Sequence, residues 1–251
     1  MARPFRRLLR SIGLDYAKAP LDHWRRIAEL LDHCGVTVLL DVGANEGQYV
    51  GYLRAAGWRG RVVSFEPIAA VHATLAANAA RDPAWSVAPP MALGDRDGVA
   101  EITVSAESDM SSLLPLRAEI LKVSPSSAAA GTETVTVRRL DAVFGDHVGP
   151  DDRAFLKIDT QGFERAVLDG AAASLKRLAG LQVELSLVAL YEGEALWREL
   201  TDRIERAGFE LRFVLPGYYD RHLKRMLQFD GVFMRAEPAA ASGKRSRRGS
   251  A

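Results

Sequence analysis

A single cysteine, Cys34, is all that the 251-residue chain contains. One thiol excludes an internal disulfide and any Cys-rich zinc site, and it agrees with a reducing, cytoplasmic setting. Long hydrophobic runs are also missing. Stretches such as Val36–Leu40 and Ala69–Ala80 are too short or too small-sided to span a bilayer. The first residues carry arginines but no continuous apolar stretch ending in a small-residue cleavage site, so no signal peptide is expected. The five histidines (His23, His33, His72, His147 and His222) show no metal-ligand spacing, and no metal is expected. Only His147 and His222 fall in loop contexts that suit a base. A strong charge of either sign is absent as well, the formal net being +1. That near-neutrality hides an asymmetry. Residues 1–10 and 236–251 together hold eight of the 33 basic residues and one of the 32 acidic ones, which leaves 25 bases against 31 acids and a body with net charge −6. A nucleic-acid enzyme usually carries its basic footprint on the folded body, so no nucleic-acid partner is expected.

What is present points to one α/β domain with extensions at both ends, since 48% hydrophobic residues are enough for a sizeable core. Residues 1–35 read as a basic lead-in followed by an amphipathic helix over Leu21–His33, with Pro20 near its start and Gly35 past its end. In the lead-in, Phe5, Leu8, Leu9 and Ile12 have helical spacing with arginines between them. That pattern suits either a loosely packed terminal helix or a peripheral contact with the inner face of a membrane. Residues 236–251 form an Ala/Ser/Gly/Arg tail that should be disordered. Residues 36–235 are the functional domain.

Inside that domain strand and helix patterns alternate. Strands are expected over Val36–Val42, Arg61–Phe65, Trp85–Leu93, Phe155–Asp159, Leu181–Leu187, Glu210–Leu215 and Phe229–Met234. Helices are expected over Gln48–Ala56, Ile68–Ala80, Phe163–Leu178 and Glu194–Ala207. Alternation of this size predicts a mostly parallel sheet with helices on both faces. Residues 95–141 interrupt it. Ile102–Val104 and Thr134–Val137 alternate apolar residues with Thr, Ser or Glu neighbours and can pair antiparallel. Between them, Ser105–Gly131 reads as a mobile insertion beside a ligand cleft or as an ordinary surface loop.

The informative stretch is Val38-Leu-Leu-Asp-Val-Gly-Ala-Asn-Glu-Gly-Gln-Tyr49, a buried strand entering a glycine turn and then a helix. That arrangement brings backbone close to a ligand and aims a helix N-terminus at it. Gly43 and Gly47 relieve crowding, and Asp41 lies at the carboxyl end of the strand, where open α/β sheets bind ligands. A dinucleotide fingerprint would need glycines where Asn45 and Gln48 stand, which disfavours an NAD-dependent reductase. The turn suits a ligand with an ammonium group that Asp41 can meet. Further on, Glu66 ends the second strand in Val-Ser-Phe-Glu-Pro67, placed to accept hydrogen bonds from ribose hydroxyls.

With these pieces in hand the chain resembles the FkbM family of S-adenosylmethionine-dependent methyltransferases, from about Val38 to Arg235. The resemblance is carried by Asp41-Val-Gly-Ala-Asn-Glu-Gly-Gln-Tyr49, Phe65-Glu-Pro67, Ala92-Leu-Gly-Asp95, Ser111-Ser-Leu113, Leu156-Lys-Ile-Asp-Thr-Gln-Gly-Phe-Glu164, Val167-Leu-Asp-Gly-Ala171, Val183-Glu-Leu-Ser186, Leu190-Tyr-Glu-Gly193 and Gln228-Phe-Asp-Gly-Val-Phe233. It implies the class I methyltransferase sheet, Rossmann-like and mostly parallel, with a last antiparallel strand. It also implies S-adenosyl-L-methionine as cofactor and a small-molecule or glycan acceptor, most often a hydroxyl on a sugar, glycolipid or natural product. Carried over to this chain, Asp41, Gly43, Asn45 and Gly47 would line the methionine part, Glu66 and Pro67 the ribose, and Asp95 the adenine, while Asp159 would face the methyl-transfer region.

An un-ionised hydroxyl is a weak nucleophile, so an alcohol acceptor needs a base. Asp159, at the end of its strand with Lys157 two residues earlier on the same face, is the first candidate, and Glu184 is the second. An N-methyltransferase acting on protein or nucleic acid often carries an Asn/Asp-Pro-Pro-aromatic turn after the fourth strand. Here the turn is Asp159-Thr-Gln-Gly162. A non-catalytic module of the same fold remains the other alternative.

Overall fold

A computed structural model describes residues 21–105, 110–118, 120, 129–221 and 223–236 of the protein. The basic lead-in, the tail beyond Ala236, His222 and much of the 105–131 insertion lie outside the described residues.

The chain begins with α1 (Leu21–His33) and enters β1 (Val38–Val42), α2 (Gln48–Ala56), β2 (Arg61–Phe65), α3 (Ala69–Ala79) and β3 (Trp85–Val87). After β4 (Ala92–Leu93), β5 (Gly98–Ser105) and β6 (Ala129–Arg138), the alternation resumes with α4 (Leu140–His147), β7 (Ala154–Ile158), α5 (Glu164–Asp169) and β8 (Leu178–Ser186). It closes with α6 (Trp197–Arg206), β9 (Phe209–Pro216), a short hairpin of β10 (Tyr219–Asp220) and β11 (Arg225–Met226), and β12 (Gln228–Arg235).

Seven strands form the main sheet in the order β3-β2-β1-β7-β8-β12-β9. The first five are parallel, whereas β12 runs antiparallel to both of its neighbours, β8 and β9. This is the class I methyltransferase sheet that the resemblance implied. All five residues of β1 and of β7 are buried, as strands covered on both faces must be. On one face Leu40, Val42, Leu156, Ile158 and Val183 pack under the helices α4, α5 and α6 through Leu140, Val167, Leu168, Leu200 and Ile204. On the other, Leu39, Val62 and Phe155 pack under α1 and α2 through Ile27, Leu31, Val50 and Leu53.

The order of the strands sets where a ligand can bind. From β1 the chain winds outward to β2 and β3, then returns to the other side of β1 as β7. The crevice at the carboxyl ends of β1 and β7 is therefore the topological switch point.

Two expected elements divide. The stretch Trp85–Leu93 gives two short strands in different sheets, because Pro89 and Pro90 have no N–H to donate to a ladder. The helix expected over Phe163–Leu178 stops at Asp169 and resumes only as a 3₁₀ turn over Ser174–Arg177. Gly170 sits so close to the Gly94 carbonyl that a Cβ there would lie 1.9 Å from its oxygen. The chain then leaves the helix, and the Asp141 carboxylate accepts from the amides of Ala173 and Ser174. The helix expected over Glu194–Ala207 begins three residues late, at Trp197.

The strands expected within 95–141 do pair antiparallel, as β5 with β6, and β4 adds to β6 in parallel. This three-stranded sheet packs Ala92, Ile102, Val135 and Val137 against Ile68, just ahead of α3. It forms a side wall to the switch-point crevice.

Candidate active site

At the crevice the backbone of β1 turns sharply. Gly43 has φ +71°, and a Cβ on it would lie 1.8 Å from the carbonyl oxygen of Asp159. Only glycine allows the two strand ends to approach this closely. Asn45 follows with φ +47°, and Gly47 caps α2 beneath the Trp85 ring. The turn is braced from β2. Glu66 is 5% exposed, with Oε2 accepting from Asn45 N–H and Oε1 from Ile68 N–H, both at 3.0 Å. Burial raises its pKa above the usual glutamate value, and those two backbone donors oppose the rise. Glu66 is thus no solvated strand-end acid: it ties the glycine turn to the entry of α3.

A cavity of about 340 Å³ opens here. It is lined by Gly43, Asn45, Glu66, Pro67, Ala92 and Leu93, by the mostly apolar Met110–Leu113, Ile120, Leu190 and Tyr218, and by the polar Asp159, Gln161, Glu184 and Gln228. The 105–131 segment therefore contributes part of the wall. Ser112 pairs with Thr103 and donates its hydroxyl to the Gln161 carbonyl at 2.6 Å, and Leu116 bridges to Tyr191.

Asp159 and Glu184 both face this cavity, as do Gly43, Asn45, Glu66 and Pro67. Asp41, Gly47 and Asp95 do not line it. Asp41 is fully buried behind the turn, where its Oδ2 accepts from the Ser64 hydroxyl at 3.1 Å and its Oδ1 lies 3.5 Å from Lys157 Nζ. Its carboxylate is turned to Lys157, behind the cavity wall. Lys157 in turn donates to the Gly43 carbonyl at 3.1 Å and lies 3.3 Å from Asp159 Oδ2, so it pins the strand end that carries both. Burial pulls the Lys157 pKa down, but Asp159 and Asp41 outweigh it and raise the value. Asp95 is on the surface, 3.7 Å from Arg96. His147 sits edge-on to Phe65, its pKa lowered by burial, and is not on the cavity wall.

Among the described residues, no cation lies within ion-pair distance of Glu184. Its Oε2 accepts from the side-chain amides of Gln161 at 2.9 Å and Gln228 at 2.7 Å. Burial raises its pKa well above the ordinary glutamate value, and the Asp159 and Glu164 carboxylates add to the rise.

Sequence reasoning passed over Gln161, Gln228, Tyr191 and Glu164. Glu164, itself buried, collects Thr160 N–H, Thr160 Oγ1 and Gly162 N–H on one oxygen and so shapes the loop after β7. A signal was available. Gln182, Glu184, Ser186, Gln228 and Asp230 are polar residues at alternate positions of buried strands, where an unpaired polar group is costly.

A glycine turn at the switch point, a buried acid ending the second strand and a carboxylate ending the β7 strand describe an S-adenosylmethionine-dependent methyltransferase. Comparison with known proteins agrees. The family described as "Methyltransferase FkbM domain" matches residues 41–211, and the chain belongs to that family, with S-adenosylmethionine as its cofactor. A curated relative, the AMB antimetabolite synthetase AmbE of Pseudomonas aeruginosa, is 28% identical over 253 aligned residues. That alignment covers 82% of this chain but 12% of the relative, so the chain spans only a small part of the synthetase's length. Among solved structures, a TehB-like S-adenosylmethionine-dependent methyltransferase from Corynebacterium glutamicum is 13% identical, covers 92% of this chain and 94% of its own, and has a TM-score of 0.42. The fibrillarin of Aeropyrum pernix with natively bound S-adenosyl-L-methionine is 10% identical, covers 80% and 66%, and has a TM-score of 0.44. Likenesses this distant leave the family match to carry the assignment.

Proposed function

We propose that this methyltransferase acts on a hydroxyl oxygen of a sugar, glycolipid or natural product, within a catalytic unit spanning residues 36–235. The observation that carries the reading is the pair of carboxylates, Asp159 and Glu184, lining one cavity together with the glycine turn and a set of apolar side chains. When bound, S-adenosylmethionine supplies an electrophilic methyl group, and an in-line displacement then depends on positioning and on removal of the acceptor proton. On this reading Gly43 and Asn45 run along the methionine part. Glu66, beside Pro67, offers its remaining lone pairs to ribose hydroxyls. Asp41, Gly47 and Asp95 act from behind or beside the cavity.

The acceptor side is walled by Met110, Leu113, Ile120, Leu190 and Tyr218, which suits a scaffold with apolar faces. No lysine, arginine or histidine stands among the described residues lining the cavity, which disfavours a phosphate-bearing nucleic acid. The likeness to an antimetabolite synthetase supports a natural-product acceptor. The lone cysteine favours a cytoplasmic setting, and no helix among the described residues is long and apolar enough to cross a membrane.

Release of S-adenosylhomocysteine, measured against a panel of glycosides, phenols, amines, transfer RNA and peptides, tests the acceptor class. Turnover confined to the hydroxyl compounds is expected. Turnover with the amines, peptides or RNA alone would overturn the assignment.

A further inference from the structure

Asp159 and Glu184 stand in different company. Asp159 has a buried ammonium, Lys157 Nζ, 3.3 Å from Oδ2. Among the described residues, Glu184 is held by the two amides of Gln161 and Gln228. The two carboxylates are joined by one group, because Gln161 Nε2 donates to Asp159 Oδ1 and to Glu184 Oε2, both at 2.9 Å. An amide NH2 has two hydrogens, so each carboxylate receives one. The opposite orientation of the amide would turn its oxygen toward two carboxylates. Instead Gln161 Oε1 lies 3.1 Å from the Tyr191 hydroxyl, a donor.

The chain holds Gln161 at a cost. Its φ of +53° lies in the left-handed region, where a residue with a Cβ is strained. The residue is fixed there from several sides. Ser112 holds its carbonyl, Glu164 holds the amides of Thr160 and Gly162 on either side, and Tyr191 packs against Gly162. A backbone strained at one residue of a cavity wall points to a job for that side chain.

We propose that Gln161 is a positioning residue that sorts the two carboxylates: Asp159, paired with Lys157, neighbours the positively charged methyl donor, and Glu184 takes the acceptor proton. This reverses the order expected from sequence, and it rests on the alcohol-methylating reading above. In the step, the acceptor O–H bond breaks and its proton passes to a Glu184 oxygen, turning the carboxylate into the acid. The acceptor oxygen bonds to the methyl carbon, and the electron pair of the broken S–C bond stays on sulfur. A carboxylate held by an ammonium is a poor proton acceptor. One held by neutral amides is a better one.

The charged groups around Glu184 act the same way. Asp159 from β7, Glu164 from α5 and Asp230 from β12 all favour its protonated form, and Lys157 alone opposes them. Gln161 and Gln228 favour the ionised form by hydrogen bonding, and so keep the group able to accept a proton.

The test is a pH titration by ¹³C NMR of the full chain, labelled at the Asp and Glu carboxyl carbons. The Glu184 signal is identified by its absence from Glu184→Gln. In the wild type, Glu184 should lose its proton well above the ordinary glutamate range. Gln161→Met keeps the length of the side chain and removes both donated hydrogens. It should move the Glu184 midpoint further up by about one pH unit, the effect of one lost charge-assisted hydrogen bond. If Glu184 titrates at or below the ordinary glutamate value in the wild type, or if its midpoint is unmoved in a folded Gln161→Met, the proposal fails. Should that variant not fold, the wild-type Glu184 midpoint decides alone. Neither result depends on the acceptor, so a failure here is distinct from a failure of the alcohol reading, which the product-release panel reports.

Discussion

Replacing Glu66 by alanine removes a buried brace and a cofactor contact together, and the two effects can be separated by assay. In the folded protein the carboxylate accepts from the backbone N–H groups of Asn45 and Ile68, each at 3.0 Å, and it is 5% exposed. Hydrogen bonds to a charged partner contribute about 1.5–3 kcal/mol each, so two are worth roughly 3–6 kcal/mol. Part of that is offset, because deleting the side chain also relieves a carboxylate that burial already disfavours. A net loss of about 2–4 kcal/mol remains, which corresponds to a fall in Tm of roughly 5–15 °C for a chain of this size. On the proposed binding mode, loss of the ribose contacts adds a fall of about tenfold or more in affinity for S-adenosylhomocysteine, read by calorimetry at a temperature where the variant is folded. Glu66→Gln retains one acceptor oxygen and turns an NH2 toward the other backbone donor, so it should fall between wild type and alanine in both assays. A Glu66→Ala variant that melts with wild type and binds the cofactor product equally well would refute both roles.

Gly43→Ala should fail to accumulate as folded protein or melt lower than Glu66→Ala, because its Cβ meets backbone, the Asp159 carbonyl, at a φ of +71°; a wild-type Tm would show that β1 and β7 are not held this close. Asp230 titrates at about 6, pushed up from 3.8 by burial and then by Asp159. A raised carboxyl pKa gives stability that is present below about 3.8 and lost as pH rises through about 6, by up to about 3 kcal/mol. Asp230→Asn should therefore gain on wild type in urea midpoint at pH 7 and not at pH 4, and parallel pH curves for the two proteins would contradict this. With a hydroxyl acceptor in hand, Glu184→Gln should lower single-turnover methylation by about 10²–10⁴-fold while cofactor affinity is nearly kept. Asp159→Asn should show its loss chiefly in cofactor affinity, and the reverse pattern would return the base role to Asp159.

Where two physical signals coincide, the sequence was legible. The run Val38–Val42 is apolar apart from Asp41 and meets a glycine turn, so both the buried strand and its ligand end could be read. Leu21–His33, Gln48–Ala56 and Arg61–Phe65 have the bounds that periodicity and flanking glycines predict. Lys157 was expected on the same face as Asp159, and it lies within ion-pair distance of it. What was not legible depends on contacts far apart in the chain. Nothing local shows that Gly170 meets Gly94 and ends a helix, or that Asp41 faces Lys157 across the ladder and so never reaches the cavity. Gln161 sits inside the most specific family motif, yet its amide acquires a meaning only when Glu184, 23 residues on, is brought beside it. Gln228 comes from an antiparallel strand a further 44 residues along.

The claim at the centre is that a hydroxyl oxygen receives the methyl group. The most direct measurement supplies S-adenosylmethionine labelled with ¹³C at the methyl group, together with the wild-type protein and an extract of small molecules from the cells that produce it. Carbon–proton correlation NMR then separates methyl on oxygen from methyl on nitrogen by carbon shift. A methoxy signal that grows with enzyme and is lost with Glu184→Gln is the predicted result. An N-methyl signal in its place, or growth of the methoxy signal at the same rate with Glu184→Gln, would contradict the account.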